Sequence, residues 1–252
     1  TSATDTYNVA VGYDAGDRIT TGVNNTLIGG LAGDALTDAD ANVAIGVGAL
    51  GGDTLGSRSI AIGMNALEVQ NFTSATNVYN VAVGFGAGAE ITTGIHNTLI
   101  GGLAGDALTV GHRNVAVGKD ALKTNIGGAK NIAIGEGSLS TFNSGSSASD
   151  TYNTTVGHFA GGSVTTGINN TLIGGLAGDG TDDGDGNVAV GYLTLSANCG
   201  DNNTAVGITS GMVITGTDNA CFGVSAGRGI TSGSNNITIG RNAGRSGSPG
   251  GN

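Results

Sequence analysis

The sequence predicts an all-β chain folded as a parallel β-solenoid of about 14 coils, and three observations carry that expectation. A short phrase close to Asn-x-Ala-(Val/Ile)-Gly recurs fourteen times along the 252 residues. Its apolar positions alternate with the two-residue period of a strand. The composition, with 50 glycines, one proline and no tryptophan, departs from globular usage without the every-third-residue glycine of collagen.

The terminal glycines of the phrase are Gly12, Gly29, Gly46, Gly63, Gly84, Gly101, Gly118, Gly135, Gly157, Gly174, Gly191, Gly207, Gly223 and Gly240. Nine of the thirteen intervals are 17 residues, so the step is that of a stack of like units rather than one closed core. With Asn8 as position 0, position 3 is apolar in every copy and β-branched in all but Phe222. Position 1 is Val, Ile, Thr or Ala, and lies on the same side of an extended segment as position 3. Each phrase therefore reads as a short strand, with positions 1 and 3 expected to line the inside of the column.

Glycine at position 4 marks a corner that needs either a positive φ or an approach too close for a Cβ. Asparagine fills position 0 in thirteen copies, with Ser59 the exception, and suits a turn through its tolerance of left-handed φ and through amide ladders along the axis. Position 7 is again small, as at Ala15, Ala32 and Ala49. A coil is thus two or three short strands with Gly and Asn corners, each strand pairing in parallel with its equivalent one coil away. Fourteen such steps of about 4.8 Å predict a rod roughly 65 Å long. No segment carries a capped 3.6-residue period, so no helix is expected.

Position 2, on the opposite side of the strand, is Ala, Leu, Thr or Cys. Strands apolar on both faces are normally covered on both, so this side is expected to be buried against partner chains, giving a laterally self-associating solenoid.

A longer period of four coils overlies the coil. The segment TTGVNNTLIGGLAGDAL at 20–36 returns as TTGIHNTLIGGLAGDAL at 92–108 and as TTGINNTLIGGLAGDG at 165–180. Ser/Thr/Asn-rich insertions close the blocks, with boundary loops at 68–79 and 140–152. The solenoid is assigned to 1–244 in blocks 1–79, 80–152, 153–218 and 219–244, followed by a Gly/Ser-rich tail at 245–252. Opening at Thr1 with neither methionine nor an apolar leader, the chain reads as an excerpt or a processed product.

A net charge of −10 with nine basic residues leaves no footprint for nucleic acid or an anionic membrane surface, and no run of eighteen apolar residues predicts membrane insertion. Cys199 and Cys221 fall at different phases of non-adjacent coils, which does not favour a bridge, so cysteine usage leaves the redox compartment open.

The phrases NVAIG (42–46), SIAIG (59–63), NVAVG (80–84, 114–118, 187–191) and NIAIG (131–135) resemble the head repeat of trimeric autotransporter adhesins. Runs such as NTAVG at 203–207 are similar to those of phage tail-fibre and related appendage proteins. The resemblance covers nearly the whole chain. It implies a left-handed parallel β-roll, a homotrimer of chains side by side, and a role as an extracellular shaft or adhesive head.

Catalysis needs convergent acid, base and nucleophile groups, and three scattered histidines, His96, His112 and His158, do not supply them; a non-enzyme is expected. GVGALG at 46–51 matches a dinucleotide fingerprint only because the repeat generates it. Asp179, Asp182, Asp183 and Asp185, with Asp34, Asp38 and Asp40 earlier, offer hard oxygen ligands for calcium, against the alternative of a solvated acidic loop. Tyr7, Tyr79 and Tyr152 precede the block-opening asparagine and Tyr13, Phe85 and Phe159 follow its glycine. These rings either stack on a sugar or partner surface or plug the coil beside each insertion. The pairs Thr20-Thr21, Thr92-Thr93 and Thr165-Thr166 suggest an ice-binding row, but at four-coil spacing they are sparse. The functional expectation is a structural extracellular fibre or virion or cell-surface appendage protein that contacts a glycan or protein receptor. A subunit that polymerises end to end is the alternative, and an ice-binding solenoid the third.

Overall fold

The computed structural model describes residues 5–245, so the first four residues and most of the tail, from 246 on, lie outside it. The fold is a parallel β-solenoid of fourteen turns without a helix among the described residues. The turns fall in two compact units of seven. One unit runs to Ala129 and includes Gly145–Ser149; the other comprises Lys130–Ser144 and the chain from Asp150 on.

In the first unit the strands are Val9–Val11, Thr26–Ile28, Val43–Ile45, Ile60–Ile62, Val81–Val83, Thr98–Ile100 and Val115–Val117. They pair in parallel and in chain order, like position on like position, as Val43↔Ile60, Ala44↔Ala61 and Ile45↔Ile62. The second unit repeats the plan with Ile132–Ile134, Thr154–Val156, Thr171–Ile173, Val188–Val190, Thr204–Val206, Ala220–Phe222 and Ile237–Ile239.

The two sides of the strand are the reverse of the sequence expectation. Position 2 points inward and is buried in thirteen of the fourteen turns, from Leu27 and Ala44 to Cys221 and Thr238. Positions 1 and 3 point outward: Ile28, Ile100, Ile134 and Ile173 keep 38–39% of their surface exposed. The reason is volume. Positions 8 and 11 also point inward in most turns, and the inward side chains complement one another: Leu27 with Gly33 and Leu36, Leu99 with Gly105 and Leu108, but Ala116 with Leu122. A Cβ on Gly33 would lie 2.7 Å from Leu27 and 2.8 Å from Leu36. Two β-branched residues per turn would overfill this interior.

Position 8 is Gly or Leu wherever it falls, and its backbone is left-handed even at Leu50 (φ 53°), Leu122 (52°) and Leu195 (50°). That conformation costs a residue with a Cβ roughly 1–2 kcal/mol. Burying a leucine returns about 1.5–3 kcal/mol, which offsets it.

The corner glycines answer both possible demands at once. Gly46 has φ 134°, and a Cβ there would sit 2.5 Å from the carbonyl oxygen of Gly63 in the next turn.

The asparagine column is an amide ladder, but its members are not the left-handed residues. That role belongs to the residue before: Ala41 (φ 57°), Arg58 (66°), Tyr79 (54°) and His96 (60°). This turn swings the asparagine inward, where it is buried in every turn but the first and last. Asn42 is typical of the column. Its Nδ2 donates to Gly56 O at 2.9 Å, and its Oδ1 accepts the Ser59 N–H at 2.8 Å. Its own N–H donates to Asn25 Oδ1 at 2.9 Å.

Where the column carries Ser59, other buried groups repair it. Gln70 Nε2 donates to Ser59 Oγ at 3.1 Å and to Asp53 Oδ2 at 2.6 Å, while Asn80 Nδ2 donates to Gln70 Oε1 at 2.9 Å. Asp53 Oδ1 accepts from the Gly56 and Phe72 amides at 3.1 and 3.0 Å. Burial pushes the Asp53 carboxyl up, against the opposing pull of those hydrogen bonds.

The insertion at 68–79 does more than protrude. Thr76–Asn77 pairs with Gly56–Ser57 as a second ladder, and Gln70, Phe72 and Val78 are buried between exposed neighbours. In the second unit Phe142 is the largest fully buried side chain.

Candidate functional site

The outward sheet face is the most extensive chemical feature of each unit. In the first, Val43, Ile45, Ile60, Ile62, Val81, Val83, Val115 and Val117 form two rows, widened by exposed Val47, Met64 and Phe85 just past the corner glycines. In the second, Ile132, Ile134, Val156, Val188, Val190, Val206 and Phe222 do the same, beside Tyr192, Ile208 and Val224. Seven strands about 4.8 Å apart, four residue steps wide, give roughly 400 Å² per unit, within the range that marks an interaction surface. Neither row carries a charged side chain.

All six rings singled out in the sequence lie outside the core, 40–77% exposed. The plugging role falls instead to Phe72 and Phe142. Tyr7 donates its hydroxyl to Asp5 at 3.1 Å, and Tyr152 donates to Asp150 at 3.1 Å. Lys130 closes the second arrangement, with Nζ 2.6 Å from Asp150 and 4.9 Å from the Tyr152 ring centre. These partners push the Lys130 ammonium pKa up, the Asp150 hydrogen bond most of all. Tyr79 stacks on His96 with centroids 5.7 Å apart and planes 14° from parallel, and Arg58, hydrogen-bonded to Asn77, lies 5.8 Å over the Tyr79 ring. Phe159 covers Gly137, where a Cβ would meet the ring at 2.6 Å, and packs edge-on against His158. Tyr13 and Phe85 complete the set as exposed rings on the outward side.

The acidic residues are dispersed along the turns as caps. Asp185 Oδ1 accepts the Ile168 N–H at 2.7 Å, as Asp40 Oδ1 accepts that of Val23 at 2.8 Å. Asp182 and Asp38 accept the hydroxyls of Thr165 and Thr21. Burial raises the Asp179 carboxyl against a hydrogen bond from Ser196. Among the described residues no three His, Cys, Asp or Glu side chains gather as a metal site, so Asp179, Asp182, Asp183 and Asp185 are not brought together as a ligand set. Cys199 and Cys221 are free and buried, and burial raises both thiols.

The threonines are less sparse than their pairs suggest. Thr20, Thr37 and Thr54 follow one another turn by turn, each hydroxyl donating to the next turn: Thr20 to Thr37 O at 3.1 Å and Thr37 to Thr54 O at 3.1 Å. Thr92 and Thr109 repeat the pattern at 3.2 Å. Asn71 interrupts the row, and these hydroxyls are committed to the backbone.

No protein-family model and no curated protein matches the chain. Among the described residues no helix is long and apolar enough to cross a membrane.

Proposed function

We propose that the chain is a non-enzymatic structural element of an extracellular fibre or appendage, a shaft or adhesive head, in which chains associate side by side as a homotrimer. One observation carries this reading: the outward face of both units is two rows of mostly β-branched residues without a charge, Val, Ile or Phe at every position 3 and Val, Ile, Thr or Ala at position 1. A surface of that size and composition left in water invites association, and a second copy presents the same period and therefore the same shape. The resemblance of NVAIG and NIAIG to the adhesin head repeat supports the trimer. The dispersal of the histidines, with His96 against Tyr79 and His158 against Phe159, supports a role without catalysis.

Light scattering over a wide concentration range tests it. The expected result is one mass, three times the 24.3 kDa chain, independent of concentration. The double variant Ile62→Lys, Val83→Lys places charge on the face and should reduce the particle to single chains with unchanged circular dichroism. A monomeric wild-type protein refutes the reading, and a mass that grows without limit replaces the closed trimer with a polymer.

A further inference from the structure

We propose that Arg58, Tyr79, His96 and Arg113 form a strip that binds an acidic, carboxylate-bearing polysaccharide. The four occupy the same phase, directly before the phrase asparagine or Ser59, in four consecutive turns of the first unit, and all are exposed. One side chain is therefore offered per strand step, and the two guanidinium groups stand three steps, about 14 Å, apart. Earlier in the unit the same phase holds Asn24 and Ala41, so the repeat alone does not demand these residues.

The strip is ordered before any ligand arrives. Arg58 lies over Tyr79, Tyr79 stacks on His96, and each of the four backbones is held in the left-handed region at φ 54–66°. Side chains already fixed in this way lose less entropy on binding. Stacking also decides the mode of recognition. With Arg58 on one side of the Tyr79 ring and His96 on the other, the ring presents its edge and hydroxyl, not a face for a sugar to lie on. Hydrogen-bond donors are what the strip offers.

Charge points to the ligand. The chain carries −10, and the two lysines of this unit, Lys119 and Lys123, are both spent on Asp120 at 2.5 and 3.0 Å. Among the described residues no carboxylate lies within 4.0 Å of the Arg58 or Arg113 guanidinium. Asp40, one turn before Arg58, directs its carboxylate to the Val23 amide. Arg58 gives one N–H to Asn77 Oδ1, and neither guanidinium has a carboxylate partner among the described residues, so both suit an incoming carboxylate. Two are too few to hold a nucleic-acid backbone. A peptide adding as a strand finds no free edge, because the His96 and Arg113 amides already donate to Val78 O and Ile95 O. A polysaccharide with recurring carboxylates and hydroxyls meets the side-chain donors without needing backbone.

The inference takes only the extracellular setting from the proposed function. Calorimetric titration with sodium polygalacturonate tests it, with fully methyl-esterified polymer and polyglutamate for comparison. Wild-type protein should bind polygalacturonate, more weakly as salt rises, and bind the ester and polyglutamate at least tenfold more weakly. The double variant Arg58→Gln, Arg113→Gln should weaken binding about tenfold, the yield of two exposed charge pairs. Lys119→Gln, Lys123→Gln makes the same change in net charge and should leave affinity within about twofold. Equal losses in the two variants, equal binding of the ester or of polyglutamate, or no binding by wild type would overturn the proposal. Mass and circular dichroism read on the same samples separate that failure from a failure of self-association.

Discussion

Replacing Asn97 by alanine removes one rung of the amide ladder and takes a partner from the backbone groups on either side of it. Asn97 Nδ2 donates to Gly111 O at 2.9 Å, and Asn97 Oδ1 accepts the Asn114 N–H at 3.0 Å. Both backbone groups belong to buried residues, so water does not replace the lost partner. An orphaned buried polar group costs about 1–3 kcal/mol, so two of them make Asn97→Ala destabilising by about 4 kcal/mol. Asn97→Ser should cost nearly as much. Ser59 is tolerated because Gln70 reaches its hydroxyl, whereas the equivalent of Gln70 in the Asn97 turn is Leu108. Urea unfolding followed by circular dichroism gives the global effect, and hydrogen exchange at the Asn114 amide gives the local one, since each turn is coupled mainly to its neighbours. Thr98→Ser, outward on the adjacent position, serves as the control and should change stability by less than about 0.5 kcal/mol. A loss below about 1 kcal/mol for Asn97→Ala, with Asn114 exchange unchanged, would refute the ladder as a source of stability.

Other consequences are open to the same measurements. Gly46→Ala should destabilise by about 3 kcal/mol or more, because φ 134° and a Gly63 oxygen at 2.5 Å both oppose a Cβ. Gly30→Ala, with open space around it, should be neutral or slightly stabilising in the same urea titration. Ala116→Leu should overfill its turn at a cost of about 1–3 kcal/mol, and Leu122→Gly should relieve it, so a double-mutant cycle gives a coupling above about 1 kcal/mol. Asp53 has a raised carboxyl in the folded chain, so the folded state holds its proton to higher pH than the unfolded one. Its contribution to stability therefore falls as pH rises from the ordinary carboxylate range through the raised value, and Asp53→Asn should flatten that part of a stability–pH profile.

The period, the strand, the glycine corner and the absence of helices were legible because each is a local demand that repeats, and fourteen copies expose it. Which side of the strand faces inward was not. Positions 1 and 3 are the more hydrophobic, and a single strand read alone puts its isoleucines inside. The decisive information sits at position 8, where glycine faces Leu27 and leucine faces Ala44, and it becomes readable only once positions 2, 8 and 11 are known to share one interior. The left-handed residue was placed one position late for a related reason. Asparagine is the residue best suited to that conformation, yet here burial claims its amide, and Ala41, Arg58 and Tyr79 take the turn. For the candidate surfaces, the block-spaced rings were visible, but the Arg58–Tyr79–His96 stack was not. Its members are 21 and 17 residues apart and belong to no motif. They meet because the solenoid returns each phase to the same edge.

Thiol reactivity at two adjacent positions tests most directly the claim that Val and Ile form an outer face covered by other copies. In a chain with Cys199→Ala and Cys221→Ala, single variants Ala82→Cys and Val83→Cys are exposed to a thiol reagent, both in the assembled particle and after a pair of lysines on the same face, Ile45→Lys and Ile62→Lys, has dissociated it. The inward residue 82 should stay protected in both samples, while residue 83 should react freely in single chains and become protected on assembly. Rapid reaction at 82 with protection of 83 in the single chain would contradict the orientation. Equal reaction of 83 in both samples would contradict the interface.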